Sequence, residues 1–250
     1  MTTAPLWLVA RVVETRNPTP HGRVLELRVD GWPGNLAGQH VDVRLTAEDG
    51  YQAVRSYSLA SSGDSDIIEL AVDEVPEGEV SPYLVEDVRP GDELEVRGPI
   101  GAYFVWTPTQ TEPVQLIAGG SGIVPLIAMA RQHARTGSSA PMRLLYAVRS
   151  AADAFYTDDL AQLADDAFLV DWAYSRSAPP GSERPAGRVD AATIAASTIP
   201  ATEHPSVYVC GPTGFVEAVA DLLVAAGHPP ERIRTERFGG CLLYTSPSPR

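Results

Sequence analysis

The hydrophobic patterning of this 250-residue chain changes its period near residue 110, and that change constrains the fold more than any single motif. Before it, apolar and polar residues alternate in short runs separated by turn-forming residues: WLVARVVETR, GRVLELRVDG, GQHVDVRLT, VRSYSLAS, DIIELAVDEV and DELEVRGP. Period-two alternation gives each strand one buried and one solvated face, as in an antiparallel barrel or sandwich. One segment, SPYLVEDV (81–88), reads instead as a short helix. After the change, the nearly continuous apolar runs VQLIAGG, RLLYAVR, FLVDWAYS, SVYVCG and IRTERF alternate with helical segments over PLIAMARQHART, FYTDDLAQLAD and FVEAVADLLVAAG. Strands that are apolar on both faces need cover on both sides, which a parallel sheet flanked by helices supplies. The expected fold class is therefore β + α/β. An antiparallel six-stranded barrel over 1–107 is followed by a five-stranded parallel Rossmann-like domain over 113–240, with TPTQTEP (107–113) as the joint.

Composition narrows the chemistry. All 19 basic residues are arginine, against 32 acids, for a net charge of −13. General nucleic-acid binding, which rests on clustered positive charge facing phosphate, is disfavoured. Residues 1–110 hold 8 Arg and 18 acids while 111–250 hold 11 and 14, so the acidity concentrates in the first half. No apolar stretch approaches the roughly 20 residues that cross a bilayer, and MTTAPLWLVARVVETRNP lacks the basic start and apolar core of a signal peptide; the expectation is a cytoplasmic chain without a membrane span. Two cysteines, Cys210 and Cys241, cannot by themselves make a disulfide framework, a four-cysteine zinc site or an iron-sulfur cluster. No metal site is expected, and redox chemistry would come from an organic cofactor. The last ten residues, CLLYTSPSPR (241–250), break in composition and are set aside as a non-native or disordered tail.

Four segments carry candidate chemistry. Leu116 to Pro125 (LIAGGSGIVP) runs from a buried strand through Gly119, Gly120, Ser121 and Gly122 into a helix. Such a turn lets backbone N–H groups and a helix N-terminus approach a pyrophosphate, although any tight strand-to-helix turn favours glycine. Val209-Cys210-Gly211-Pro212-Thr213-Gly214 is a second turn of the same kind, and two such turns at the carboxyl ends of parallel strands can face one ligand. Cys210 is equally the small buried core residue that most free cysteines are. In the barrel half, Arg55-Ser56-Tyr57-Ser58 sets charge and a stacking ring on one strand with two hydroxyls. Gly78-Glu79-Val80-Ser81 opens the short helix, where Ser81 serves as N-cap or meets a phosphate.

Taken in order, RSYS, GEVS, GPIG, IAGGSGIVP, VCGP and the closing ERF resemble the ferredoxin-NADP reductase superfamily of flavin-dependent reductases, over residues from about 6 to 238. The resemblance implies that Arg55 holds flavin phosphate, Tyr57 packs on the isoalloxazine and Ser58 approaches flavin N5, with Ser56 between them also counted as cofactor-binding. It puts Gly78, Val80 and Ser81 on the flavin phosphates, and the Gly119–Gly122 turn on the dinucleotide pyrophosphate. Cys210, Gly211 and Pro212 then border the nicotinamide, and Phe238 of Glu236-Arg237-Phe238 covers the flavin face. Simple core filling is the alternative for Phe238. Glu236 orients nicotinamide or relays a proton, or is a plain carboxylate at a strand end. Members whose aromatic ends the chain differ from this one, in which twelve residues follow Phe238.

Ser175 and Arg176, with Arg149 nearby, match a 2′-phosphate site and favour NADP over NAD, while Asp171 does not decide between them. FAD is favoured over FMN, with Tyr103 and Phe104 beside the adenosine half. The implied activity is a stand-alone oxidoreductase without an iron-sulfur domain. It passes electrons from NAD(P)H through FAD to a separate acceptor protein: a ferredoxin, a flavodoxin or an oxygenase component. Two alternatives stand: an NAD(P)H-dependent reductase of free flavin or other small molecules, and a flavin-binding electron-transfer subunit without nicotinamide chemistry of its own. The acidic barrel half, with seven acids between Asp64 and Glu79, would repel an acidic ferredoxin unless arginines cluster at the flavin edge.

Overall fold

The computed structural model describes residues 6–182 and 184–238. The tail assigned to 241–250 lies outside them.

The first half forms six antiparallel strands: β1 (Trp7–Thr19), β2 (Gly22–Val29), β3 (His40–Thr46), β4 (Gln52–Ser58), β5 (Ile67–Asp73) and β6 (Glu93–Ile100), in the order β4-β3-β6-β1-β2-β5. A bridge between Leu59 and Leu70 joins the two outermost strands and closes the sheet into a barrel, which removes its free edges. The interior is the alternating apolar set anticipated from sequence, including Val12, Leu25, Leu27, Val41, Val43, Leu70 and Val96. The helix expected over 81–88 is present over 81–87: Ser81 and Pro82 are α-helical and run straight into a π-type turn, Tyr83–Asp87, with no capping side chain. The Ser81 hydroxyl accepts from the Val75 N–H at 3.0 Å and closes the preceding turn, which corrects its expected N-cap role.

The second half is a parallel sheet of β7 (Val114–Gly119), β8 (Met142–Val148), β9 (Phe168–Tyr174), β10 (Ser206–Pro212) and β11 (Ile233–Phe238), in the order β11-β10-β7-β8-β9. Helices α1 (Ile123–Thr136), α2 (Thr157–Leu163), α3 (Ala191–Ser197) and α4 (Thr213–Ala225) cover its faces. Helix α3 was not anticipated. Its signal is local: Asp190 accepts from the Thr193 N–H at 2.8 Å and the Thr193 hydroxyl takes the Asp190 N–H, a capping box built on Asp and Thr. The chain runs outward from β7 to β9, then returns to the other side of β7 to lay down β10 and β11. That reversal opens a crevice between the carboxyl ends of β7 and β10, where open α/β sheets take ligands.

The two halves share one continuous core. Val24, Ala37, Ala71, Phe104 and Trp106 from the first half pack in the same cluster as Leu116, Ile127, Met129, Tyr146 and Phe155 from the second. A Cβ on Gly22 would lie 2.2 Å from the Phe155 ring, so barrel and sheet meet without intervening space. The 107–113 joint folds as a turn, with the Gln110 N–H donating to Thr107 O at 3.0 Å. Among the described residues no helix is long and apolar enough to cross a membrane.

Candidate active site

The two glycine-rich turns end β7 and β10, adjacent strands, and touch each other. A Cβ on Gly122 would fall 2.1 Å from the Cys210 carbonyl oxygen. One on Gly119 would fall 2.6 Å from the Phe215 ring, and Gly211 (φ +156°) is equally close to Phe215 and to Gly119. These three glycines are required by turn-against-turn packing. Gly120 differs: its φ of +55° is a left-handed conformation, and nothing lies within 4 Å of the space a side chain would take. Helices α1 and α4 both start here without a capping side chain; in α1 the Ile123 N–H is taken by the Gly120 and Ser121 carbonyls and Pro125 has none to offer. Phe215, which sequence reading missed, is the half-buried ring on which both turns rest.

In the barrel, β4 carries Arg55 exposed, Tyr57 half-buried against the barrel core, and Ser58 fully buried. The Ser56 hydroxyl donates to Asp42 Oδ1 at 2.7 Å, and Asp42 also takes Arg97 at 2.6 Å. The Ser56 side chain is thereby tied to β3 and β6, apart from Arg55 and Tyr57. Arg55 donates to Glu79 Oε2 at 2.5 Å while the Tyr51 hydroxyl donates to Glu79 Oε1 at 2.9 Å, which brings RSYS and GEVS together. Gly78 makes the turn, since a Cβ there would meet Val75 O at 2.9 Å. The Val80 side chain is a barrel-core residue, leaving only its backbone to face a ligand.

The two halves of the site meet at Glu236. Its Oε1 lies 3.9 Å from Nδ1 of His40, and His40 is the cross-strand partner of Ser58. On its other side Glu236 is in register with Cys210. The Ser58 Oγ and the Glu236 Oε2 are both buried without a hydrogen-bond partner. Unpartnered polar atoms cost stability unless a ligand or water satisfies them, and their grouping here is the sign of a built site. Burial raises the Glu236 carboxyl to about 7. Burial lowers His40, with Asp42 opposing, so the imidazole is favoured neutral. Burial, reinforced by Glu236, raises the Cys210 thiol well above its usual range, so it is a packed thiol and no nucleophile. His40 carried no sequence signal, because nothing in GQHV points to a strand 196 residues away. Phe238 pairs in register with Pro212 and packs part-buried on the shared core.

Beyond the carboxyl ends of β8 and β9, on the side of β7 away from β10, the N–H groups of Arg176 and Ser177 donate to the Arg149 carbonyl at 2.9 and 3.1 Å, so the segments following these two strands lie side by side. Ser175, Arg176 and Arg149 are all exposed there. Arg149 also acts electrostatically on Asp73 of the barrel, lowering a carboxyl that burial raises. Asp171 is held by Arg143 through two hydrogen bonds, 2.7 and 3.1 Å, in mid-strand, so it is a structural partner and not a ribose ligand.

These features fit a flavin and a nicotinamide dinucleotide: an arginine for phosphate, a half-buried ring, an orphaned hydroxyl, and open space at Gly120 beside two helix starts. Comparison with known proteins agrees. An oxidoreductase FAD-binding domain model matches residues 20–105 and an oxidoreductase NAD-binding domain model matches 116–221. NADH-cytochrome b5 reductase 1 of Aspergillus terreus is 31% identical over 201 residues, covering 76% of this chain and 67% of that one. The reductase component of propane 2-monooxygenase from Mycolicibacterium goodii is 32% identical over 211 residues, 80% of this chain and 58% of that one. The FAD/NAD-binding domain of nitric oxide dioxygenase from Vibrio cholerae superposes with a TM-score of 0.83 at 26% identity, covering 93% of this chain and 99% of that one. The chain spans little more than half the length of several curated relatives, 52% to 58%.

Proposed function

The chain belongs to the ferredoxin-NADP reductase-like family of FAD- and NAD-binding oxidoreductases, and from that premise we propose that it oxidises NAD(P)H through FAD and delivers the electrons to a separate acceptor. The observation that carries the reading is the convergence of Ser58, Glu236 and the paired glycine turns at the crevice between β7 and β10. Bound FAD supplies the conversion from two-electron to one-electron chemistry. The protein's part is positional. Arg55 holds flavin phosphate, Tyr57 flanks the ring, and the Ser58 hydroxyl supplies the one hydrogen bond its buried oxygen otherwise lacks. The Gly120 turn and the two helix starts receive the dinucleotide pyrophosphate. Glu236, half-protonated near neutrality, holds or yields a proton at the ring edge. Phe238 covers the flavin face and excludes water.

The dinucleotide is read as NADPH, on Ser175 and Arg176 with Arg149 beside them; a guanidinium fork and a hydroxyl suit a dianionic phosphate. The acceptor is read as an oxygenase component or another redox protein, in line with the reductase components among the relatives. One observation favours a small-molecule acceptor as the second reading. Among the described residues, Arg11, Arg16, Arg28, Arg44, Arg55 and Arg97 of the barrel all pair with barrel carboxylates. Arg23 and Arg89 donate to backbone carbonyls. Only Arg23, which is buried, and Arg89 lack a carboxylate partner among the described barrel arginines, so little unpaired positive charge is left there to recruit an acidic carrier.

The test is an anaerobic titration of the FAD-loaded protein with NADPH and with NADH, following flavin bleaching. The reading expects reduction with preference for NADPH, and R176A is expected to abolish that preference. Equal bleaching by both nucleotides in the unmodified protein refutes the 2′-phosphate site, and bleaching by neither refutes the reductase reading.

A further inference from the structure

Helix α1, which begins at the Gly119–Gly122 turn, carries Arg131 on the side that meets the barrel. Its guanidinium donates to Glu69 Oε1 of β5 at 2.8 Å, to the Ala60 carbonyl at 3.1 Å and to Asp159 of α2 at 2.5 Å. Glu69 is 7% exposed and collects two further donors, Arg16 at 2.7 Å and the Tyr156 hydroxyl at 3.0 Å. The Arg131 guanidinium also lies 5.0 Å from the centroid of the Tyr156 ring. Tyr156 reaches this position with φ +60°, a left-handed conformation that a bulky residue adopts only when its surroundings hold it there. Ala60 follows Ser58 by two residues, and its N–H donates to the Glu69 carbonyl at 2.8 Å.

We infer that Arg131 is a positioning residue that fixes the dinucleotide turn relative to the flavin strand, through a charge cluster touching neither cofactor. One end of α1 sets the pyrophosphate turn. Nine residues on, about 13 Å along the axis, the same rigid helix is bolted to the segment that continues from Arg55–Ser58. A guanidinium fork meets three acceptors at once, which a lysine ammonium on a flexible stem does not reproduce. The inference rests on the reading of the two turns as dinucleotide and flavin sites. Transfer between two held rings is sensitive to small misplacements, of the order of 100-fold in rate for about 1 Å.

The experiment compares the FAD-loaded wild type with R131M and R131K. Flavin affinity and the flavin circular dichroism in R131M are expected to match wild type. The single-turnover rate of flavin reduction at saturating nucleotide is expected to fall between about 10- and 100-fold, with nucleotide Kd changed less than rate and R131K recovering only part of the loss. Hydrogen exchange of amides in 59–71 and 154–163 is expected to rise in R131M while β3 and β6 stay protected. Loss of flavin together with rate would mean a merely structural role and overturns the inference. So would wild-type reduction by R131M, or unchanged exchange across the interface. If wild type is reduced by neither nucleotide, the functional reading fails on its own, and the exchange comparison still decides whether Arg131 couples the two halves.

Discussion

Replacing Glu236 by glutamine removes the one carboxyl at the centre of the site whose ionisation the fold resists. Burial raises that carboxyl from 4.5 to about 7, with the side chain 21% exposed and Oε2 without a partner. Between these two values the folded chain keeps the proton and the unfolded chain releases it. The folded state therefore binds more protons, and stability falls as pH rises. The group's favourable contribution is fully present below the unfolded value and is lost as pH climbs through about 7. At about 1.36 kcal/mol per unit, the whole swing is about 3 kcal/mol, an upper figure because solvent reaches part of the side chain. A glutamine in its place does not titrate and resembles the protonated acid. Urea unfolding followed by tryptophan fluorescence, stepped from pH 4 to pH 8, is expected to show E236Q and wild type alike at the acid end. E236Q is expected to be more stable by about 1–3 kcal/mol at pH 8. Parallel curves at all pH values, or a less stable E236Q at pH 8, would refute the burial argument.

Glu79 occupies the guanidinium assigned to flavin phosphate, so E79Q is expected to tighten FAD binding. The pair is half-exposed and worth about 0.2–1 kcal/mol, so the gain in a fluorescence-quenching titration should not exceed about fivefold; weaker binding by E79Q would contradict the assignment of Arg55. G122A places a Cβ 2.1 Å from the Cys210 carbonyl and should cost at least about 2 kcal/mol in thermal or urea unfolding. G214A, with nothing within 4 Å and a place in the first turn of α4, should be neutral or stabilising by up to about 1 kcal/mol. Equal effects of the two substitutions would show that turn-against-turn packing is not what Gly122 serves.

The architecture was legible because its signal is periodic. Barrel strands such as β6 alternate while the central sheet strands β7 and β10 are buried almost throughout, and that switch near residue 110 is visible without any long-range information; β5, buried along its length, and the edge strand β11, half-exposed, depart from it. The glycine turns were legible as turns, yet their reason was not. Gly119, Gly122 and Gly211 answer to one another and to Phe215 across a crevice that exists only after β10 is laid beside β7. His40 and the Arg131–Glu69 cluster were illegible for the same cause: Arg131 meets Glu69 across a separation of 62 residues. Such pairings depend on how two domains dock, which no local pattern encodes. Ser81 shows the converse error. A serine before a helical run suggests a cap, but Ser81 is itself the first helical residue, and a backbone N–H outside the helix, that of Val75, claims its hydroxyl.

The central claim is that the crevice between β7 and β10 holds nicotinamide against flavin for direct transfer. Single-turnover reduction of the FAD-loaded protein by dinucleotide deuterated at nicotinamide C4, on one face and then on the other, tests it most directly. The account predicts rapid bleaching that slows severalfold with deuterium on one face only, because a single fixed stacking geometry presents one face to the flavin. Bleaching insensitive to deuterium on either face, or no bleaching at all, would contradict it.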